Sequence, residues 1–331
     1  DNYNIGIGYL AGNVISTGVQ NTLVGGLSGD VLTDADENTA VGYGALSSDI
    51  LGSKSTALGR SALATQSFST ATDSFNTAVG YFAGVSITTG VQNTLIGPEV
   101  ALNLTEGNYN VALGRRALQF DQKGSRSVAI GYNALFTQRF TTATDSFNTA
   151  IGFNAAEALT TGVQNTIVGG LAADALTSGD SNTFIGYFAA GNGVVTGDTN
   201  TGVGVSAGLA ITSGSNNLCL GKDAGRSGSP GGNITTGSNQ IALGDENISS
   251  AFVQVDWTIS SDERDKTDFA DLDLGLDFVK ALEPVTYYWD KRSKYGDKSA
   301  DDYDLDNLTP DGTHKEDWMD VGFKAQAVQA L

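Results

Sequence analysis

The sequence has few charged residues, few prolines, and almost no cysteine or histidine. Charged residues make up 17% of its 331 positions, and it contains 4 prolines, 1 cysteine and 1 histidine. The single cysteine, Cys219, excludes an intrachain disulfide, and the single histidine, His314, excludes metal sites built from several imidazoles. Cys219 lies at an apolar position of a repeat, which predicts a buried structural thiol rather than a reactive one.

Basic residues are also scarce. The sequence has 18 of them and 37 acidic residues, so the formal net charge is -19. This imbalance argues against a phosphate-binding surface and against an anionic membrane surface, which both need clustered Lys and Arg. No apolar run reaches the roughly 20 residues of a membrane helix, and no signal peptide is recognisable. We therefore expect no nucleic-acid partner and no membrane insertion. Since Asp1 is not a usual first residue, we expect a segment of a longer chain.

Glycine is abundant and unevenly distributed. All but four of the 43 glycines precede residue 251, whereas residues 262–331 carry 18 of the 37 acidic residues. The change in composition predicts a break near residue 250, with a repetitive shaft over residues 1–250 before it and a small α+β domain over residues 262–331 after it.

The shaft consists of repeats of the motif Asn-Thr-apolar-apolar-Gly. Most motif glycines are 17 residues apart and two intervals are 21, so that three short units and one long unit form a 72-residue super-repeat. Residues 68–80 return almost unchanged as residues 140–152. The fourteen motif glycines are Gly8, Gly25, Gly42, Gly59, Gly80, Gly97, Gly114, Gly131, Gly152, Gly169, Gly186, Gly204, Gly221 and Gly244.

Each unit predicts one coil, or rung, of a parallel β-solenoid. The motif combines β-branched residues with Gly and Asn, which indicates a short strand and a turn. Rungs stack about 4.8 Å apart, so fourteen span roughly 65 Å. Adjacent apolar residues such as Ala40 and Val41 point to opposite faces of a strand. We therefore expect one face to fill the coil and the other to pack against other chains. The repeated Asn should form a ladder of side-chain amides.

The repeats, of which residues 38–46 (Asn-Thr-Ala-Val-Gly-Tyr-Gly-Ala-Leu) are typical, resemble those of bacteriophage tail fibres. They are also similar to the heads of trimeric autotransporter adhesins, which are left-handed parallel β-rolls. The resemblance implies threefold symmetry. The expected fold is thus mainly β: a trimeric parallel β-solenoid shaft followed by a small α+β domain.

Four segments near the C-terminus resemble the intramolecular chaperone of endosialidases, a self-cleaving domain at the ends of phage fibres and spikes. They are residues 261–266, 275–279, 282–289 and 322–328. The resemblance implies that Ser261 is a nucleophile, that Lys266 is its general base, and that the Ser261–Asp262 bond is cut once per chain. Residues 251–261 would then be the connector to the cleavage site, and residues 262–331 the N-terminal part of the chaperone domain.

This chemistry is reasonable, because a serine hydroxyl needs a base to become a good nucleophile and desolvation can lower the pKa of a lysine sufficiently. Two alternatives stay open. Ser261 could be the N-cap of a helix whose first turn is solvated. A Ser–His–Asp arrangement would have to use His314, the only imidazole.

The sequence therefore predicts a structural and adhesive tail-fibre protein of a phage virion, which acts as a homotrimer. Its expected partners are other tail proteins and a host cell-surface receptor, either glycan or protein, and we expect no cofactor and no metal. One alternative is a bacterial trimeric adhesin, although no heptads of a coiled-coil stalk are present. Another is a glycan-degrading tailspike, which needs two carboxylates about 5–10 Å apart.

Three weaker signals have mainly structural interpretations. Asp301–Asp306 is rich in carboxylates but lacks the Gly and Glu of a calcium loop, so we expect a solvated insertion. Asp73 and Asp145 occupy equivalent positions and are expected to accept hydrogen bonds from turn amides. Aromatic rings follow several motif glycines; they could bind sugars, but we expect packing against neighbours. These rings belong to Tyr43, Tyr81, Tyr132, Phe153 and Tyr187.

Overall fold

The structure is a computed structural model that describes residues 2–191, 193–251, 278, 281–292, 295, 308–324 and 327–328. The chain forms two compact units, Asp1–Ser249 and Ser250–Leu331. No helix among the described residues has the length and apolar character required to cross a bilayer.

The first unit is built from very short strands, one or two in each repeat. In chain order, the strands among the described residues are β1 (Ile5–Ile7), β2 (Thr22–Val24), β3 (Thr39–Val41), β4 (Gly52–Ser53), β5 (Thr56–Leu58), β6 (Thr72–Asp73), β7 (Thr77–Val79), β8 (Thr94–Ile96), β9 (Val111–Leu113), β10 (Gly124–Ser125), β11 (Val128–Ile130), β12 (Thr144–Asp145), β13 (Thr149–Ile151), β14 (Thr166–Val168), β15 (Thr183–Ile185), β16 (Thr201–Val203), β17 (Leu218–Leu220), β18 (Ile241–Leu243), β19 (Val285–Tyr287) and β20 (Asp320–Gly322).

Fourteen of these strands form one parallel sheet in which each repeat contributes one strand. The sheet runs from β1 to β18 in chain order and leaves out β4, β6, β10 and β12. Neighbouring strands pair in the register of the motif, so that Thr39, Ala40 and Val41 lie beside Thr56, Ala57 and Leu58. The predicted mainly-β parallel solenoid is confirmed.

The core of the solenoid is a thin column between the sheet and the turns. From β2 to β18, the central residue of each strand of this sheet points inward and is buried, as Ala40, Leu95 and Phe184 are. Leu, Ile and Ala side chains from the turns complete one continuous apolar cluster, including Leu104 and Leu159. Because each rung is so thin, its core is shared with the rungs above and below, and a single repeat could not bury its apolar face alone.

A buried asparagine connects most rungs to their neighbours, which confirms the predicted ladder; Ser55, Ser127 and Gln240 take its position in three rungs. Asn93 Nδ2 lies 3.2 Å from Asn76 Oδ1 and 2.9 Å from the carbonyl oxygen of Gly107. In turn, Asn93 Oδ1 accepts a hydrogen bond from the backbone N–H of Asn110 at 3.0 Å. The amide therefore satisfies backbone groups that the turn leaves without partners inside the core.

The turns use left-handed backbone conformations at many positions that are not glycine. Leu63, Leu118 and Leu135 have φ angles of 51°, 55° and 51°. Their strain is offset by hydrogen bonds between rungs, such as the 3.1 Å bond from Leu63 N–H to the Ala83 carbonyl. The motif glycine is required for a different reason: at Gly169, φ is 140° and an added Cβ would lie 2.4 Å from the oxygen of Gly186.

The two 21-residue rungs enclose a buried polar group. Asp121 accepts hydrogen bonds from Gln138 Nε2 at 2.6 Å and from the N–H of Phe140 at 3.0 Å. Gln138 Nε2 also contacts Ser127 Oγ at 3.0 Å. Burial raises the pKa of the Asp121 carboxyl, and its hydrogen bonds oppose that effect only in part. Asp49 has the same role in the preceding super-repeat.

The described residues of the second unit contain one antiparallel pair, β19 with β20, in which Val285 faces Gly322. Helical conformation occurs at residues 278, 281 and 327–328. The backbone N–H of Glu316 also donates to the Trp289 carbonyl at 2.8 Å, which extends the contact beyond the hairpin.

Candidate functional site

The predicted catalytic residues Ser261 and Lys266 and the predicted cleavage bond Ser261–Asp262 lie outside the described residues. The acidic segment Asp301–Asp306 lies outside them too. The dyad therefore stays a prediction, and the described residues provide no geometry for it.

The only histidine lies next to a tyrosine and an aspartate. Tyr295 Oη donates to Asp290 Oδ1 at 2.6 Å, and the N–H of Gly312 donates to Asp290 Oδ2 at 2.8 Å. The backbone N–H of His314 donates to Tyr295 Oη at 3.2 Å, and the two rings meet edge to face at 4.8 Å. Within the described part of the unit, these contacts place a tyrosine, rather than a serine, beside the imidazole.

The solenoid presents an outer face along its whole length. We use this name for the strand residues that point away from the core and for the aromatic rings that follow several of the motif glycines. Val41, Ile96 and Leu220 are 37%, 38% and 37% exposed, although their inward neighbours are buried. The apolar column comprises Ile7, Val24, Val41, Leu58, Val79, Ile96, Leu113, Ile130, Ile151, Val168, Ile185, Val203, Leu220 and Leu243.

The rings after the motif glycines are more exposed in the single chain than the sequence suggested. Tyr43 and Tyr187 are 57% and 58% exposed. Tyr132 does pack against a neighbour, because it stacks on Phe153 with ring centroids 5.4 Å apart. The rings thus widen the apolar strip of the outer face.

In a second column, five residues before the motif glycine, two basic residues lie beside aromatic rings of adjacent rungs. Arg126 lies between Tyr109 and Phe147, with its guanidinium carbon 5.1 Å and 5.6 Å from the two ring centroids. One super-repeat earlier, Lys54 Nζ lies 5.4 Å from the centroid of Phe75. These distances are in the range of cation–π contacts.

Asp73 and Asp145 bind these cations, so the expectation that they bond turn amides was wrong. Asp73 Oδ2 lies 2.6 Å from Lys54 Nζ, and Asp145 Oδ1 lies 2.9 Å from Arg126 Nε. Each aspartate is in the second strand of a small parallel pair, β4–β6 or β10–β12, next to the rung that carries the cation. The partners are 19 residues apart, a separation that becomes a contact only when the coils stack.

Cys219 is a buried structural thiol, as predicted. Its side chain is fully buried on β17, and burial raises its pKa to about 11. A thiol with that pKa is almost entirely protonated near neutral pH and is a poor nucleophile.

Among the residues that the structure describes, no group of three or more His, Cys, Asp and Glu side chains is placed to hold a metal ion.

Comparison with known protein families gives a match at the end of the chain. Residues 261–331 match the family described as chaperone of endosialidase. No curated protein matches the chain. No solved structure matches it either. The family match covers all four C-terminal segments that carried the resemblance in the sequence.

Proposed function

We propose that this chain is the distal part of a phage tail fibre or tailspike, with a homotrimeric shaft that attaches to the host and a C-terminal chaperone that assembles it. One observation carries the proposal: a segment matching the chaperone of endosialidase follows a parallel β-solenoid whose last strand is β18 (Ile241–Leu243). Its expected location is the tail of a virion, where other tail proteins are its partners and a glycan or protein is its receptor.

The outer face supports association with other copies of the chain. The apolar column is roughly 65 Å long, and one partner buries about 800 Å² in a standard interface, so a strip about 12 Å wide along the column would suffice. Single soluble chains rarely expose so large a continuous apolar surface. A surface that repeats with every rung is matched best by another surface of the same period, and a second and third copy of this chain provide that period.

The repeats also explain why a chaperone would be needed. Chains with nearly identical super-repeats can align out of register by 17 or 72 residues and still bring apolar columns together. Parallel coils fold slowly because their contacts are non-local, and their unpaired edges are prone to aggregate. A terminal trimeric template would align the three chains before the shaft forms.

The chaperone would then be released by hydrolysis of the Ser261–Asp262 bond. In this proposal, Ser261 is the nucleophile and Lys266 accepts its proton. The overall reaction consumes one water, breaks the peptide bond, and leaves a carboxylate on Ser261 and an amine on Asp262. Because the template is lost, the folded shaft would be kinetically trapped.

Denaturing gel electrophoresis of freshly expressed protein tests the cleavage. We expect the wild type to yield a 261-residue product and a 70-residue fragment (331 − 261), and Ser261→Ala and Lys266→Ala to remain at full length. Ser260→Ala, which alters the neighbouring hydroxyl, is the matched control and should be cleaved. Identical full-length bands in the wild type and in Ser261→Ala would remove the peptidase from the proposal and leave the chaperone role to be decided by assembly.

A further inference from the structure

The second column of the shaft, five residues before each motif glycine, alternates in chemistry over seven successive rungs. A polar side chain follows each aromatic one in this stretch, which we call the alternating column. Since rungs stack about 4.8 Å apart, its rings are spaced by about 10 Å, with one polar side chain between each pair. The alternating column consists of Lys54, Phe75, Gln92, Tyr109, Arg126, Phe147 and Gln164.

The fold does not require aromatic rings at these places. Tyr109 and Phe147 have left-handed backbones, with φ angles of 59° and 49°, a conformation that strains bulky residues and suits asparagine better. The rings of Phe75, Tyr109 and Phe147 are 50%, 47% and 51% exposed, so they contribute little to the core. Nearer the end of the shaft, small polar residues hold the same position with φ angles between 56° and 62°: Ser181, Thr199, Asn216 and Asn239.

The same backbone forms in this column whatever the side chain, because hydrogen bonds between rungs impose it. The backbone N–H of Tyr109 donates to the Val91 carbonyl at 3.1 Å, and that of Asn216 donates to the Asp198 carbonyl at 2.9 Å. A contact outside the chain therefore accounts better for the exposed rings than folding does.

The polar members of the column offer hydrogen bonds rather than net charge. Arg126 uses Nε for its ion pair with Asp145, at 2.9 Å, so its two terminal nitrogens can donate to another group. Lys54 is likewise neutralised by Asp73, at 2.6 Å. The exposed amide of Gln92 can both donate and accept.

We propose that the alternating column binds an uncharged, linear glycan that lies along the shaft. This inference rests on the proposed function, in which the receptor is a glycan or a protein, and it selects the glycan. A sugar ring presents C–H groups that pack on aromatic rings and hydroxyl groups that bond to amides and guanidinium groups.

The period of the column fits a polymer of sugars. One sugar unit of an extended chain is about as long as the rung spacing of about 4.8 Å, so every second sugar would meet a ring and the sugars between would meet a polar side chain. A folded protein surface has no such regular repeat along a line. A second copy of this chain is also a poor occupant, because pairing two such columns would desolvate the ion pairs of Lys54 and Arg126.

Binding of the full chain to an array of linear oligosaccharides tests this site. The probes are chains of two to eight hexose or N-acetylhexosamine units. We expect at least one of these sequences to bind, with an affinity that rises up to about six units, the number of rungs from Lys54 to Phe147.

A double variant identifies the column as the site. Tyr109→Asn/Phe147→Asn installs the residue that the chain itself uses at Asn216 and Asn239, so the circular dichroism spectrum and the trimer should be unchanged. Its affinity for the bound oligosaccharide should fall at least tenfold. Phe120→Asn removes a ring that is 41% exposed outside the column and should bind like the wild type.

Failure of this inference is distinguishable from failure of the proposed function. A trimeric wild type that binds no oligosaccharide of the array, or a double variant that binds like the wild type, overturns the glycan site and leaves the fibre intact. A double variant that dissociates into single chains also overturns it, because the column would then belong to the interface between chains. Glycan binding by a wild type that sediments as a single chain would support the site and contradict the trimer.

Discussion

At the scale of single residues, the ladder asparagine makes the solenoid cooperative. One side chain serves three rungs: Asn93 contacts Asn76 on the rung before it, and Gly107 and Asn110 on the rung after it. Because its oxygen and its nitrogen are both used inside the core, no apolar residue of similar size can replace it without leaving backbone groups unpaired.

Asn93→Ala tests this role. The substitution leaves the Gly107 carbonyl and the Asn110 N–H without partners in the core, so we expect the free energy of unfolding to fall by about 2–5 kcal/mol. Urea titration followed by circular dichroism measures it. Gln92→Ala, at the exposed neighbouring position, should change stability by less than about 1 kcal/mol. Equal effects of the two substitutions would contradict the role of the ladder.

Cys219 predicts a loss of stability at alkaline pH. The unfolded thiol ionises near its ordinary pKa of 9.0, whereas burial raises the folded pKa to about 11. The stabilisation is present below pH 9 and is lost as the pH rises to about 11, since only the unfolded state releases its proton in that interval. We expect a decrease of about 2–3 kcal/mol that is absent in Cys219→Ala.

Alkylation provides the measurement at constant pH. At pH 8, iodoacetamide should leave Cys219 of the native protein unmodified and should modify it completely in urea, as mass spectrometry would show. Rapid modification of the native protein would mean that the thiol is accessible and that the assigned burial is incorrect.

At the scale of elements, each long rung holds a carboxylate that has amide donors but no cation. Gln138 provides the shortest of the contacts to Asp121, at 2.6 Å. Gln138→Leu removes that donor and should lower the free energy of unfolding at pH 7 by about 3–5 kcal/mol, because a charge is left inadequately solvated in the core.

The loss in the free energy of unfolding that Gln138→Leu causes, here called the deficit, should become smaller as the pH falls. Burial already raises the folded pKa of Asp121, and loss of the donor raises it further. Since a protonated carboxyl does not need the amide, the deficit should shrink when unfolding is measured at pH 5 instead of pH 7. Gln122→Leu, at a half-buried neighbouring position, is the control. A deficit that is the same at both pH values would exclude an electrostatic cause.

At the scale of the whole molecule, the outer face should determine the state of assembly. Ile96→Asp/Ile151→Asp places charges in the middle of the apolar column, where they would be desolvated in an interface between chains. Sedimentation equilibrium should give three times the 34.2 kDa chain mass for the uncleaved wild type and a single chain, or aggregates, for the variant. Thr70→Asp/Thr142→Asp adds the same charge at exposed positions of the long rungs and should remain trimeric. A wild type that sediments as one chain at low concentration would refute the trimer.

The sequence by itself determined the structure of each rung and the parallel stacking of the rungs. The phase of the motif over fourteen units implies one strand per rung, a buried asparagine and a parallel stack, because each of these follows from residues adjacent in the chain. The C-terminal motifs likewise indicate the chaperone family that the comparison finds. Ser261 and Lys266 could be selected only through that resemblance, since a serine five residues before a lysine has many ordinary uses.

Diagonal contacts between coils, in contrast to the asparagine ladder, were decided by the tertiary structure alone. Asp73 meets Lys54 across 19 residues, and Asn133 meets Glu157 across 24, separations that match neither the 17-residue nor the 21-residue unit. Such pairs arise because the stacked rungs bring together side chains from different positions of the repeat. Which positions meet depends on the shape of the turns. The left-handed conformation of Leu63 has the same origin, because only hydrogen bonds from neighbouring rungs make that strained backbone favourable.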